Sequence, residues 1–204
     1  MLARTKARES LPALLKDVRA CRICEAQLPH GVRPVLRLSQ TGRICVAGQA
    51  PGIRVHNSGI PYDDPSGNRL RQWMGVDKTT FYDQARVAIV PMGFCFPGYD
   101  AAGGDKPPRP ECRRRWHDRL FAAAPPFSLI LVIGGYAQRY HLGERAKDSV
   151  WDTVRAWRDY APRYFPLPHP SWRNNAWLQK NPWFEDALLP ALRRRVARAL
   201  SSPS

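Results

Sequence analysis

Ile44-Cys45-Val46-Ala47-Gly48-Gln49-Ala50-Pro51-Gly52 decides the fold, because a short apolar run breaks abruptly into a Gly/Pro loop with several backbone N–H groups left free. Such a run reads as a buried strand, and such a loop can hold an anion or a base edge. Working outward, three more apolar runs have the same form, so strands are expected over 43–48, 86–92, 128–134 and 163–168, each closed by Gly or Pro. Helical spacing fills the intervals. Leu11, Leu14, Leu15 and Val18 predict a helix running into Cys21-Arg22-Ile23-Cys24, and Ser66 reads as the N-cap of a helix carrying Leu70, Trp73 and Met74. Further helices are expected from Pro110 to about Ala124, from Tyr136 to Leu142, from Val150 to Trp157, and from Trp183 to Leu200 with a kink at Pro190. The alternation predicts an α/β fold, a three-layer α/β/α arrangement around a central, mainly parallel four-stranded sheet. Sites in such sheets lie at the carboxyl ends of the strands. Gly48 to Gly52, Pro91-Met92-Gly93-Phe94-Cys95 and His169-Pro170-Ser171 all fall there.

At 204 residues the chain fits one domain over 1–204, with 1–40 as an N-terminal helix and C-x-x-C extension and 183–204 as a C-terminal helix. No stretch reaches the roughly 18 apolar residues of a membrane span, and Met1 to Arg8 lacks the apolar core of a signal peptide. A soluble, cytoplasmic protein of the bacterial cytosol or nucleoid is expected. The net charge of +15 points to a polyanionic partner, nucleic acid first; biased composition with a solvated surface is the alternative. Arg113-Arg114-Arg115 and Arg193-Arg194-Arg195 read as exposed helix faces. Arg54, Arg69, Arg71 and Arg173 flank the Gly/Pro loops and are the better candidates for phosphate contact. Ala101 to Pro110 is a Gly/Pro/Asp loop whose composition allows mobility.

Taken in order, Gly48-Gln49-Ala50-Pro51-Gly52 and His169-Pro170-Ser171 resemble the first and second motifs of the uracil-DNA glycosylase superfamily. Gly59-Ile60-Pro61-Tyr62 followed by Ser66-Gly67 and Leu70 is similar to a segment of its iron–sulfur-bearing family 4. The resemblance spans nearly the whole chain. It implies a monomeric DNA repair enzyme that hydrolyses the N-glycosidic bond of uracil, or a related damaged base, in single- or double-stranded DNA to leave an abasic site.

The cysteines follow the same layout. Cys21 and Cys24 form C-x-x-C, Cys95 comes about 70 residues later, and Cys112 follows. The arrangement is similar to the cluster ligands of family 4, and four thiolates are what a [4Fe–4S] centre requires. Such a centre would be structural, since glycosidic hydrolysis transfers no electrons. A structural zinc held by the same four thiols, or no metal at all, remains open. Cys45, inside an apolar strand, reads as core. A thioredoxin-type role for C-x-x-C is disfavoured because the pair follows a helix rather than a strand.

By resemblance, His169 would donate to the uracil carbonyl oxygen as negative charge develops there, while Gln49 and Ala50 would grip uracil or a water through their N–H groups. Tyr62 would stack on the flipped base, a contact worth roughly 1–3 kcal/mol. Gly48, Pro51, Gly52, Met92 and Gly93 would line the pocket. Ser66, Gly67 and Ser171 would bind backbone phosphate, with Arg54 and Arg69 beside them, and Trp172 or Arg173 would fill the gap in the duplex. Two departures stand out: Ala50 occupies the place of a water-activating aspartate, and Pro91 or Met92 that of a uracil-reading asparagine. Asp63, Asp64 and His56 are the nearby groups able to orient water. A non-catalytic protein that recognises uracil or abasic DNA, and hydrolysis of another base, are the alternative functions.

Overall fold

The four apolar runs become strands β1 (Ile44–Ala47), β2 (Val87–Ile89), β3 (Leu129–Ile133) and β4 (Tyr164–Leu167), in a computed structural model that describes residues 9–201. The N-terminal octet read above for a signal peptide lies outside the described residues. The sheet order is β2-β1-β3-β4, and every pairing is parallel, with Ile44 opposite both Val87 and Leu129 and with Ile130 opposite Tyr164. The chain steps from β1 out to β2 and then crosses to β3, so the strand order reverses beside β1. In parallel sheets of this kind, ligands bind at such a reversal, outside the carboxyl ends of the strands. Along the outer edge of β2, Arg37 forms an antiparallel bridge to Ile89, with N–H···O distances of 2.9 and 2.7 Å in the two directions.

Both faces of the sheet are covered, which is why the strands read as unbroken apolar runs rather than alternating ones. Cys45, Ala47, Ala88, Val90, Ile130 and Val132 face one layer. That layer is built from α1 (Leu11–Arg19), α7 (Gly134–Leu142) and the segment comprising α5 (Pro110–Cys112), a π turn (Arg113–His117) and α6 (Asp118–Ala123). Ile44, Val46, Val87, Ile89, Leu129, Leu131 and Ile133 face the other, built from α3 (Pro65–Met74), α4 (Lys78–Tyr82), α8 (Val150–Arg155) and α10 (Leu189–Ser201). Two more short helices, α2 (Ile53–Ser58) and α9 (Asn175–Lys180), follow the first and last strand-end loops.

Several boundaries depart from expectation. Asp64, not Ser66, caps α3: its Oδ1 accepts the Gly67 N–H at 2.8 Å, and Pro65 takes the first helical position, where its missing N–H costs nothing. Ahead of Pro190 the helix widens into a π turn over Phe184–Leu188, a local adjustment to a residue that cannot donate to the preceding turn. α2, α4 and α9 were not anticipated. The 101–110 loop is tied down: Asp100 Oδ1 accepts the N–H groups of Ala102 and Gly104, each at 2.9 Å, and Lys106 N–H donates to Gly98 at 2.9 Å.

Buried and half-buried histidines make this fold acid-sensitive. Desolvation pushes His117 and His169 below the ordinary 6.5 and His141 down to about 3. The neutral ring is favoured in the folded chain, so stability is complete above pH 6.5 and falls below it, by about 1.4 kcal/mol per pH unit for each such ring until its own folded value is reached. His141 lies among Phe121, Tyr140 and Tyr164, and its Nε2 has no hydrogen-bond partner among the described residues. His141→Phe is therefore expected to flatten the loss of urea-unfolding midpoint between pH 7 and pH 5. An unchanged slope would discount its contribution.

Candidate active site

The site starts where β1 ends. Gly48 O accepts the Met92 N–H at 2.9 Å and Gln49 O accepts the Gly93 N–H at 2.8 Å, so the loops after β1 and β2 are joined through the carbonyls of the first. The N–H groups of Gln49 and Ala50 donate to no backbone acceptor among the described residues. Two fixed donors thus stand at the strand end. A Cβ at Gly48 would lie 2.5 Å from the Tyr62 hydroxyl, so any larger residue there would displace the Tyr62 ring.

Tyr62 enters from the turn before α3 with a left-handed φ of 57°, and its ring meets Phe81 edge-on at 6.1 Å. Burial, reinforced by the Asp64 carboxylate, pushes its phenol well above the usual range and keeps it neutral. Across the cleft, β4 delivers His169, partly buried between the buried Pro168 and Pro170. Asn174 Nδ2 donates to the His169 carbonyl at 2.7 Å. Arg69 Nη1 donates to Ser171 O at 3.0 Å and to Asn175 Oδ1 at 2.8 Å, tying α3 to this loop. Ser171 caps the next turn, its Oγ accepting the Arg173 N–H at 3.2 Å. Trp172 projects into solvent, 73% exposed. The His169 ring feels burial first, then Asp64 and Arg173.

A family model for the uracil DNA glycosylase superfamily matches residues 37–193, which take in both strand-end loops, Tyr62 and His169. The chain belongs to the uracil-DNA glycosylase superfamily. Membership brings a hydrolytic glycosylase fold that engages DNA, and the net charge of +15 suits that partner. The triplet at 193–195 is partly spent inside the molecule: Arg193 donates to Gln72 O at 3.0 Å, and Arg195 donates to Pro162 O and Ser128 O, each at 3.1 Å. Arg54 and Arg173 are exposed beside the cleft loops, whereas Arg69 is an internal strut as well as a cation.

This member of the superfamily brings together Gly48, Gln49, Ala50, Tyr62, Asp64 and His169, with Ser66 and Gly67 in the first turn of α3 below Tyr62. Other expected residues lie elsewhere. Asp63 acts electrostatically on Tyr82 rather than on His169. His56 faces His30 and Phe96, and the charges that act on it are Arg33 and His30. The Met92 side chain is buried in the core, leaving only its backbone to the site. Gly93 is covered, since a Cβ there would meet Pro108 at 3.0 Å and Ala50 at 3.4 Å. Pro51 is buried and Gly52 partly so.

Two residues of this region carried no warning in the sequence. Asp105 reaches over Gly52, whose Cβ position is 3.4 Å from its Oδ2. His117 is fully buried, with Nε2 facing Pro91 O at 3.0 Å and Nδ1 facing Cys112 O at 3.2 Å. It connects the loop after β2 to a second feature: Cys21, Cys24, Cys95 and Cys112 line a single small pocket with a cavity volume of only about 20 Å³, together with Val18, Leu28, Phe94 and Trp116. Burial pushes the Cys95 thiol up to about 11 and Cys112 up to about 12. Among the described residues, no group of three or more His, Cys, Asp or Glu is placed to hold a metal ion. Cys21 and Cys24 precede the segment matched by the family model. Cys45 is fully buried in β1, apart from the other four.

Proposed function

We propose that the protein excises uracil, or a related damaged pyrimidine, from DNA by hydrolysing the N-glycosidic bond, acting as a cytoplasmic monomer. The observation that carries this reading is that the uncommitted Gln49 and Ala50 N–H groups and His169 stand at the carboxyl ends of β1 and β4, on one edge of the parallel sheet. A base can enter such a cleft only after leaving the stack, as glycosylases require. Bond breaking leaves the sugar cationic and the base anionic, and donors fixed before the reaction stabilise that anion without reorganisation cost. Tyr62 offers a face for the base, and the exposed Arg173 and Trp172 lie where the duplex must open. No helix among the described residues is long and apolar enough to cross a membrane.

The test is base release from a uracil-containing oligonucleotide, single-stranded and paired with guanine, with abasic sites scored by alkaline cleavage. Release supports the reading. Retention of the same DNA with no release would favour the second reading, a uracil- or abasic-DNA binder, for which the missing side-chain acid at Ala50 is the supporting observation.

The four thiols line one pocket, and four thiolates are the ligand set a [4Fe–4S] centre takes. Cys21, Cys24, Cys95 and Cys112 would hold a [4Fe–4S] group, whose part is structural: it would fasten the segment after α1 to the loop after β2 and to α5. Protein purified without oxygen is expected to contain iron and acid-labile sulfide in equal amounts. Cys95→Ser should lose both and cost about 2–4 kcal/mol of stability, the scale of a cross-link closing a long loop. Zinc, or no metal, in the parent protein would overturn the assignment.

A further inference from the structure

Hydrolysis needs a base for the attacking water, and the first loop supplies none, since Ala50 has no polar side chain and Gln49 carries an amide. The structure brings one in from elsewhere. Asp105 lies in the 99–106 turn, fixed by the Tyr99–Asp105 bridge, by the Asp100 cap and by the Lys106 N–H bond to Gly98. The turn holds its carboxylate against Gly52, two residues beyond Ala50. Pro108 of the same loop packs on Gly93, and Gly93 in turn on Ala50, so the loop is seated on the strand-end segments rather than standing away from them. Asp64 and Arg173 each act electrostatically on both His169 and Asp105, so these four groups lie within range of one another.

We propose that Asp105 is the catalytic carboxylate that holds and deprotonates the attacking water, taking the role that Ala50 cannot. The proposal rests on the hydrolytic reading above. In the step, the C1′–N bond breaks and its electron pair leaves with the base, whose oxygen is stabilised by donation from His169. The water oxygen bonds to C1′, and the water proton passes to Asp105. The carboxylate is otherwise uncommitted: no hydrogen bond or ion pair engages its side chain among the described residues, whereas Asp64 spends Oδ1 on the Gly67 N–H. Partial desolvation raises the Asp105 pKa above the ordinary 3.8, with Asp64 and Asp100 acting in the same direction and Arg173 against them. That direction makes it a better base near neutral pH. Asp105 is exposed in the free protein, so bound DNA would complete its desolvation.

Asp105→Asn keeps the side-chain shape and removes the charge, and with no side-chain bond to lose it should fold as the parent does. Single-turnover base release is expected to fall by about 10²–10³-fold, within the range for removing a general base. Affinity for uracil-containing DNA is expected to be unchanged, and Asp105→Glu to recover part of the rate. The parent rate should decline in acid as Asp105 protonates, and this limb should vanish in Asp105→Asn. An active parent with a near-parent Asp105→Asn rate, or a variant that loses rate only in proportion to DNA affinity, overturns the role of Asp105 while leaving the glycosylase reading in place. A parent that releases no base from any uracil substrate overturns that reading, and this role with it.

Discussion

Replacing His169 with alanine is expected to slow base release from uracil-containing DNA by about 10²–10³-fold, the scale for removing one preorganised donor from a developing oxyanion. The ring is set in place before substrate arrives: Pro168 and Pro170 are buried on either side of it, and Asn174 holds its carbonyl at 2.7 Å. Burial lowers its pKa, Arg173 adds to the effect and Asp64 opposes it. Above pH 6.5 the imidazole is therefore neutral, and a neutral imidazole still carries one N–H to donate. The contact strengthens as charge moves onto the base, so the loss belongs to the chemical step and DNA affinity should change little. Single-turnover release measures it. A rate near that of the parent would remove His169 from the mechanism.

Gly67→Ala is expected to cost about 3 kcal/mol or more and to abolish activity with it. A Cβ at 67 would sit 1.8 Å from the Tyr62 carbonyl oxygen, 2.7 Å from its carbonyl carbon and 2.8 Å from its Cβ. The obstacle is mostly backbone, so no rotamer change relieves it. The turn from Tyr62 to Asp64 would have to move, breaking the Asp64 cap on α3 and lifting the Tyr62 hydroxyl off Gly48. Urea unfolding and base release should therefore fail together. A variant with the parent's midpoint would show that the close approach is not maintained in solution.

The strands were legible because burial on both faces writes itself as a continuous apolar run, and because each run is closed by Gly or Pro. Helices with a buried stripe, such as α1 and α10, were legible for the same reason. α2, α4 and α9 have six, five and six residues, too short for periodicity to register. α4 did carry a local signal: Asp77 accepts the Thr80 N–H at 2.7 Å, a cap visible in Asp-Lys-Thr-Thr. His169 and the Gly48 loop were legible because their chemistry is local to a motif. Asp105 and His117 were not, because each acts on a segment far away in sequence. Asp63 and Asp64 show the limit sharply, since of two adjacent acids one acts on Tyr82 and the other on His169.

The short bridge between Arg37 and Ile89 has a bearing on how the protein survives at high concentration. β2 is an outer strand, and an outer strand with open N–H and C=O groups invites another chain to add itself there. The segment around Arg37 occupies that edge. Its guanidinium lies 5.0 Å above the Tyr82 ring and donates to Tyr82 O at 3.1 Å, which places a positive charge on the rim. A cationic edge already paired on its outward side is a poor template for intermolecular β-pairing. The stretch leading into the sheet thus guards against self-association, and a chain trimmed past Arg37 would keep its catalytic loops yet become prone to aggregate.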